Sequence, residues 1–285
     1  MQSCYYGSVN RWECDENDHL NVRFYAEKVY QALDVFLREC AGEADSLPHL
    51  ATQHIRFVAE ARMATPLRVD CGLLSAGDGG WEVVSLMVNQ QSGAPLAGFI
   101  SRVARHGLDV EAAPTFETAP EWASPKGIDP LAAFTPPADL AGAFRAGFQT
   151  MGRGVISTAE CDRTGALLPH VYIGRLSDGM PNLWAFTADE ETASGRGAGS
   201  HGGAALEYRL AVHRPLRAGD VFRHVSGIRA IGNKTQHMVH LLWNETRDEV
   251  AATAEAIGVA MDLATRRAIP VSDARRRALE KLLLR

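Results

Sequence analysis

The chain is predicted to be α+β and duplicated, with two tandem repeats that each set a long helix against an antiparallel sheet. Residues 7–30, GSVNRWECDENDHLNVRFYAEKVY, run from a strand through a polar turn into an amphipathic helix. A second stretch repeats this one at an offset of 147. Gly7, Glu13, Cys14, Asp15 and Tyr25 match Gly154, Glu160, Cys161, Asp162 and Tyr172, five coincidences over nineteen ungapped positions. Both copies are followed by β-rich runs divided by turn signals.

In the first repeat, residues 8–12 suit a strand, and Asp15-Glu16-Asn17-Asp18 forms the turn. A helix follows over 22–40, where Val22, Tyr25, Ala26, Val29, Leu33, Phe36 and Leu37 recur at helical spacing. Asn21 or Asp18 caps its start. Residues 54–63 alternate in part and read as a strand, and 66–74 continues it or begins the next. The turns Ala76-Gly77-Asp78-Gly79-Gly80 and Gln91-Ser92-Gly93-Ala94-Pro95 introduce strands over 81–88 and 96–104. One helix ahead of a meander predicts a helix packed on one sheet face.

Six prolines, from Pro114 to Pro137, then erase any helical or strand period. The domain division is therefore a first repeat over 1–110, a Pro-rich linker over 111–145 lying along the surface, and a second repeat over 146–285. In the second repeat a strand leads to Asp162 and a helix runs from about Pro169 to Leu176, Pro169 suiting an early helical position. Residues 192–203 hold five glycines and read as a mobile loop or lid. Strand-like runs cover 206–213, 222–231 and 236–243, and a turn over 244–249 leads into 250–261. Ser272 or Asp273 caps a closing helix over 274–284.

Composition narrows the function. Hydrophobic residues at 46% and charged residues at 22% are ordinary globular values. A net charge of −5 gives no electrostatic reason to expect nucleic acid or an anionic membrane as partner. An anionic substrate such as coenzyme A needs a local basic patch, which Arg196, Arg209, Arg214 and Arg217 can supply. Cys4, Cys14, Cys40, Cys71 and Cys161 are too scattered for a disulfide framework, and no C-x-x-C pair suggests zinc. Reduced thiols, no leader pattern and no long apolar run together predict a cytoplasmic protein.

Asp15, Asn17 and His19 lie within five residues at a strand-to-helix junction, where backbone N–H groups and the helix dipole favour developing negative charge. An Asp before a helix is most often only a cap. The full motif and its repeat argue for more at Asp15 than at Asp162. Tyr25 and Tyr172 read first as core residues of the two helices, and Cys14 and Cys161 as small, buried, unreactive residues. The glycines at 195–203 lack the Lys-Ser/Thr of a phosphate loop.

These residues resemble the hot-dog-fold thioesterases, in which a motif D-x-x-G-H-x-N-N-x-x-Y joins the first strand to a helix wrapped by an antiparallel sheet. Here it reads Asp15-x-x-Asp18-His19-x-Asn21-Val22-x-x-Tyr25. The plant acyl-ACP thioesterases carry D-x-N-x-H-x-N-N and a Glu on the next strand, to which Asp15, Asn17, His19, Asn21 and Phe57-Val58-Ala59-Glu60 are similar. Asp162, Gly165 and Tyr172 resemble the 4-hydroxybenzoyl-CoA thioesterase pattern, and residues 261–270 resemble a last strand of such domains. The chain departs from the pattern at Asp18, where the family has glycine, and at Ala166 and Leu168-Pro169, where the histidine and asparagines belong. Ala211 stands opposite Glu60 in the second repeat.

The resemblance implies two hot-dogs imitating the homodimer of single-repeat relatives, ligand sites drawing on both halves, and possible pairing of two such chains. It implies hydrolysis of an acyl thioester, acyl-CoA ahead of acyl-ACP, with no cofactor beyond coenzyme A as part of the substrate. Asp15 is the expected base or nucleophile, with Asn17 and His19 positioning water and polarising the carbonyl, Glu60 assisting, and Asp162 a second candidate. Asn21, Tyr25 and Gly165 are the expected substrate-binding positions. The rivals are a 3-hydroxyacyl thioester dehydratase or hydratase, and a non-catalytic acyl-thioester-binding protein.

Overall fold

In a computed structural model of the chain, residues 2–41, 49–77, 80–104, 113–129, 134–187 and 201–285 are described. The chain divides into two units, Met1–Lys126 and Gly127–Arg285, at a point inside the Pro-rich stretch.

The first unit begins with β1 (Gln2–Ser8), one 3-10 turn (Arg11–Glu13) and the helix α1 (Val22–Ala41). Strands β2 (Leu50–Phe57), β3 (Pro66–Gly77), β4 (Gly80–Asn89) and β5 (Pro95–Val103) follow. They pair antiparallel in the order β1-β3-β4-β5-β2. Helix α1 packs against β1, β3 and β4. It buries Tyr25, Ala26, Val29, Ala32, Leu33, Phe36, Leu37 and Cys40, a stripe at three- and four-residue spacing. Each large side chain on it contributes about 1.5–3 kcal/mol of burial.

Strand β4 is buried on both faces, which removes the simple alternation of a half-exposed strand. Val84 and Leu86 face away from α1 and pack with Ala123, Phe116, Ala119 and Trp122 of the Pro-rich stretch. That stretch is tied down by Phe116 N–H donating to Leu73 O at 2.7 Å. Gly98 lets it approach, since a Cβ there would stand 2.3 Å from Ala123 Cβ. The prolines prevent regular structure and still leave the segment a sheet cover.

The second unit opens with Gly127 and Ile128, whose N–H groups donate to the buried Glu207 carboxylate at 2.7 and 3.2 Å. Its elements are α2 (Leu140–Arg145), β6 (Gln149–Val155), a 3-10 turn (Thr158–Glu160), α3 (Pro169–Thr187), β7 (His201–Val212), β8 (Val221–Ile231), β9 (Thr235–Asn244), β10 (Glu249–Asp262), the short β11 (Arg267–Ala268) and α4 (Asp273–Glu280). The antiparallel order β6-β8-β9-β10-β7 has β11 on β10, so the second sheet repeats the first strand for strand. Helix α3 packs on β6 and β8. On the opposite face Val225, Val239 and Leu241 pack with Ala143, Phe148 and Leu284.

Several boundaries differ from expectation. Strand β2 ends at Phe57, so residues 58–63, Glu60 among them, form an irregular segment rather than a strand. Helix α3 continues past Leu176 to Thr187 and through Pro181, because Leu183 extends the buried face of Val171, Tyr172, Ile173 and Leu176. Residues 140–145 of the Pro-rich stretch form α2, capped by Asp139. Asn21 caps α1, accepting from Arg23 N at 2.9 Å, and Ser272 caps α4. Residues 188–200, with most of the glycine-rich stretch and Arg196, lie outside the described residues, as do Asp78 and Gly79. Among the described residues no helix is long and apolar enough to cross a membrane.

Candidate active site

The first junction is built by its own short-range chemistry. Glu13 Oε2 accepts from Asn10 N at 2.8 Å, and its Oε1 meets Lys28 Nζ of α1 at 2.7 Å, which ties the 3-10 turn to the helix. Asp15 N donates to His19 O (2.9 Å) and Asn21 N to Glu13 O (2.9 Å), closing a small loop whose two ends lie side by side. The chain reverses at Asp18, whose φ of 63° lies in the left-handed region. The family glycine position is thus conformationally kept by an Asp, one of the few residues that tolerate it.

The loop places Asp15 and His19 together, and Leu20 N donating to Ala61 O at 2.7 Å brings the segment after β2 against them. Asp15 Oδ2 lies 3.1 Å from His19 Nδ1, while Asp15 Oδ1 accepts from Asn17 N at 2.9 Å. Glu60 Oε1 lies 3.7 Å from His19 Nε2, beyond hydrogen-bond range but within ion-pair range. Glu60 Oε2 is 3.8 Å from Arg62 Nη2. Side-chain exposure rises from 14% at Asp15 and 13% at His19 to 27% at Glu60, so Glu60 is the wetter carboxylate. One imidazole therefore stands between two carboxylates, with Asp15 on its Nδ1 side and Glu60 on its Nε2 side.

The remaining expected residues make the following contacts. Asn17 supplies its backbone N–H to Asp15, and Asn21 supplies its side-chain oxygen to the helix start. Tyr25 is buried, its ring meeting the Phe57 edge at 5.3 Å and 81°. Its hydroxyl donates to Ala59 O at 3.1 Å and accepts from Ala61 N at 2.8 Å, so the position expected to touch substrate braces the chain on either side of Glu60. Burial raises the Tyr25 phenol above its ordinary range. Trp12 is exposed and Trp81 lies in the core.

The second junction repeats the frame with different side chains at two of its positions. Ser157 N donates to Glu160 Oε2 (3.0 Å), Asp162 N to Ala166 O (2.8 Å) and Leu168 N to Glu160 O (2.9 Å), and Glu160 pairs with Arg175 of α3. Gly165 holds φ 78° at the place of Asp18, with nothing within 4 Å of a Cβ built there, so it serves the turn. Asp162 Oδ1 accepts from Thr164 N (2.7 Å), Thr164 Oγ1 (2.7 Å) and Ala166 N (3.1 Å). Ala166 occupies the His19 position. Arg209 and Arg217 donate to the backbone oxygens of Asp129 and Thr164, and Arg214 pairs with Glu249, so these arginines are engaged within the second unit.

The counterpart of Glu60 is Pro215, not Ala211. Val58 N and Ala59 N both donate to Leu96 O, as His213 N and Arg214 N do to Ala251 O. Leu20 N bonds Ala61 O as Leu167 N bonds Leu216 O, which aligns Glu60 with Pro215. The offset has grown from 147 to 155 between helix and strand, so matching aromatic residues misplaces the position by four. Lys28 and Arg175 were legible, being basic residues at the common offset of 147. Arg62, two residues from Glu60, carried no comparable signal.

Cys14 and Cys161 are part-exposed rather than buried, because each sits in the turn with its Sγ on a backbone oxygen, of Asn10 and Ser157. Desolvation raises both thiols above their ordinary range, with Asp15, Asp18 and Glu13 adding to it at Cys14 and Asp162 and Glu160 at Cys161. Among the described residues no three His, Cys, Asp or Glu side chains are arranged to hold a metal ion.

Solved structures resemble the chain over nearly its whole length. A 12:0-ACP thioesterase from Umbellularia californica aligns with a TM-score of 0.62 at 12% identity, covering 90% of this chain and 93% of its own. An acyl-ACP thioesterase from Bacteroides thetaiotaomicron aligns with a TM-score of 0.61 at 11% identity, covering 89% and 96%. These likenesses establish a common fold. Curated protein sequences give no match. A family model described as the thioesterase-like superfamily matches residues 9–117 and 156–279, one segment in each repeat. With both segments matched, the chain belongs to the thioesterase-like superfamily.

Proposed function

We propose that the protein hydrolyses an acyl thioester to a carboxylic acid and a thiol, and that the chemistry resides at the first junction. The observation that carries this is His19 held between Asp15 and Glu60, with Ala166 and Pro215 at the matching places of the second junction. Asp15, engaged by Asn17 N–H and His19, orients the imidazole. The wetter Glu60 removes a proton from water, the resulting hydroxide adds to the thioester carbon, and the C–S bond breaks with its electron pair leaving on sulfur. The proton held by Glu60 passes to the thiolate, which balances acid and thiol as products. His19 and the positive end of α1 stabilise the oxyanion. The thiolate is a good leaving group, so the reaction needs no strong general acid and no cofactor.

Acyl-CoA is the first substrate we assign. Two whole-chain structural relatives are named as ACP thioesterases, which makes acyl carrier protein the second arm of the test. Five free cysteines support a reducing, cytoplasmic setting. Thiol release is measured with short, medium, long and aromatic acyl-CoAs and with acyl-ACP. Asp15→Asn and Glu60→Gln are each expected to lower kcat by about 10²–10⁴-fold, and Asp162→Asn to leave it within about twofold, because Asp162 only holds a turn. A folded wild type that binds acyl-CoA and releases no thiol on either carrier would sink the hydrolase reading in favour of a binding protein.

A further inference from the structure

We propose that Tyr25 is a positioning residue for Glu60, acting through the backbone on both sides of it. The proposal rests on the hydrolase reading above. Glu60 lies in an irregular segment beyond the end of β2, where no ladder fixes it. Its neighbours are fixed instead. Ala59 N donates to Leu96 O at 3.2 Å, and Ala59 O accepts from the Tyr25 hydroxyl at 3.1 Å. Ala61 N donates to the same hydroxyl at 2.8 Å, and Ala61 O accepts from Leu20 N at 2.7 Å. One phenol thus bridges residues 59 and 61 and sets the direction in which the Glu60 side chain leaves the backbone.

The Tyr25 ring is locked by the Phe57 edge, and Ala61 is fully buried, so the brace has little slack. Leu20 follows His19 directly, so the same backbone contact couples the Glu60 segment to the imidazole. The separation of 3.7 Å between Glu60 and His19 is then a consequence of where Tyr25 holds the chain. The second unit provides an internal control. Tyr172 is equally buried, and its hydroxyl accepts from Leu216 N at 3.0 Å, with Leu216 O taken by Leu167 N at 2.8 Å. The contact on the far side of Pro215 is repeated there, where no carboxylate has to be aimed.

Tyr25→Phe keeps the ring and removes the bridging oxygen. A displacement of the order of 1 Å at a reacting group lowers rate by about 10²-fold, so kcat is expected to fall by about 10- to 100-fold, with KM within about twofold. Tyr172→Phe, which loses the matching hydroxyl in the second unit, should keep wild-type kcat. In a Glu60→Gln background, Tyr25→Phe should add less than twofold. The role is overturned if Tyr25→Phe and Tyr172→Phe are indistinguishable in kcat, or if Tyr25→Phe slows the Glu60→Gln enzyme by the same factor as wild type. A wild type that releases no thiol from any carrier removes the hydrolase reading, and Glu60's role with it. Release slowed by Glu60→Gln but untouched by Tyr25→Phe removes only the positioning role.

Discussion

Lowering the pH from 7.5 to 5.0 is expected to weaken the second unit through two buried imidazoles. His224 and Ser226 of β8 and His240 of β9 are fully buried. Ser226 Oγ lies 2.6 Å from His240 Nδ1 and 2.9 Å from His224 Nε2, and the two imidazoles approach to 3.2 Å. Helix α3 passes over them at Gly179, where a Cβ would stand 2.5 Å from His224 Nδ1. Burial lowers the His224 imidazole from 6.5 to about 3, opposed only by the main chain at Arg175. Burial, then the neighbouring His224 and His237, holds His240 well below its ordinary value.

The unfolded chain binds these protons below about pH 6.5 and the native state does not, so stability falls as pH falls through that window. For His224 alone the loss at pH 5.0 relative to pH 7.5 is about 2 kcal/mol, growing further until pH approaches 3. His240 adds in the same direction. Guanidinium denaturation followed by circular dichroism at the two pH values measures it. His224→Gln should remove about one proton from the pH dependence, with His240→Gln as an independent second variant. A wild type equally stable at pH 7.5 and 5.0, or variants with unchanged pH dependence, would refute the buried-imidazole argument.

Three further outcomes follow from single features. Lys28→Met leaves Glu13 as a buried charge without its cation and should destabilise the protein by about 3–5 kcal/mol, whereas Lys28→Met combined with Glu13→Gln should recover much of that in a denaturant titration. Gly165→Ala meets no atom within 4 Å but must hold φ 78°, so its cost of about 1–2 kcal/mol is wholly a backbone one and should appear as a lowered denaturation midpoint. The thiols of Cys14 and Cys161 should alkylate with iodoacetamide more slowly than free cysteine at pH 7.5 and catch up only as pH rises beyond the ordinary thiol range, because both are raised. Alkylation as fast as that of free cysteine would contradict the desolvated turn in which each sits.

The duplicated order and the junction residues were legible because local chemistry encodes them. Asp15, Asn17, His19 and Asn21 each make a contact spanning two to four residues, and the α1 stripe has the period of its own backbone. What sequence could not supply depends on long-range placement. Strand β2 looked longer than it is because Ile55, Phe57 and Ala59 alternate, yet Ala59 is exposed and shares Leu96 O with Val58, and Ala61 binds Leu20 in place of a strand partner. Helix α3 looked shorter because Gly179 and Pro181 interrupt its pattern. Gly179 is needed for the close pass over His224, and Pro181 is carried by packing on either side of it.

The two junctions separate what an aspartate does for the fold from what it does for chemistry. Asp15 and Asp162 both accept a turn N–H two residues ahead through Oδ1, so that contact accounts for an Asp in either copy without any reaction. Asp162 goes further and takes Thr164 Oγ1 and Ala166 N on the same oxygen, which satisfies the turn more fully than Asp15 does. In the first copy the second oxygen is directed to His19 instead. Repetition of the aspartate is therefore evidence for a shared turn, and the imidazole at residue 19 with the carboxylate at residue 60 is the feature that the first junction has and the second lacks. Introducing histidine at Ala166 alone would not rebuild it, since Pro215 offers no acid at the other end of the imidazole and Asp162 is already turned into its own loop.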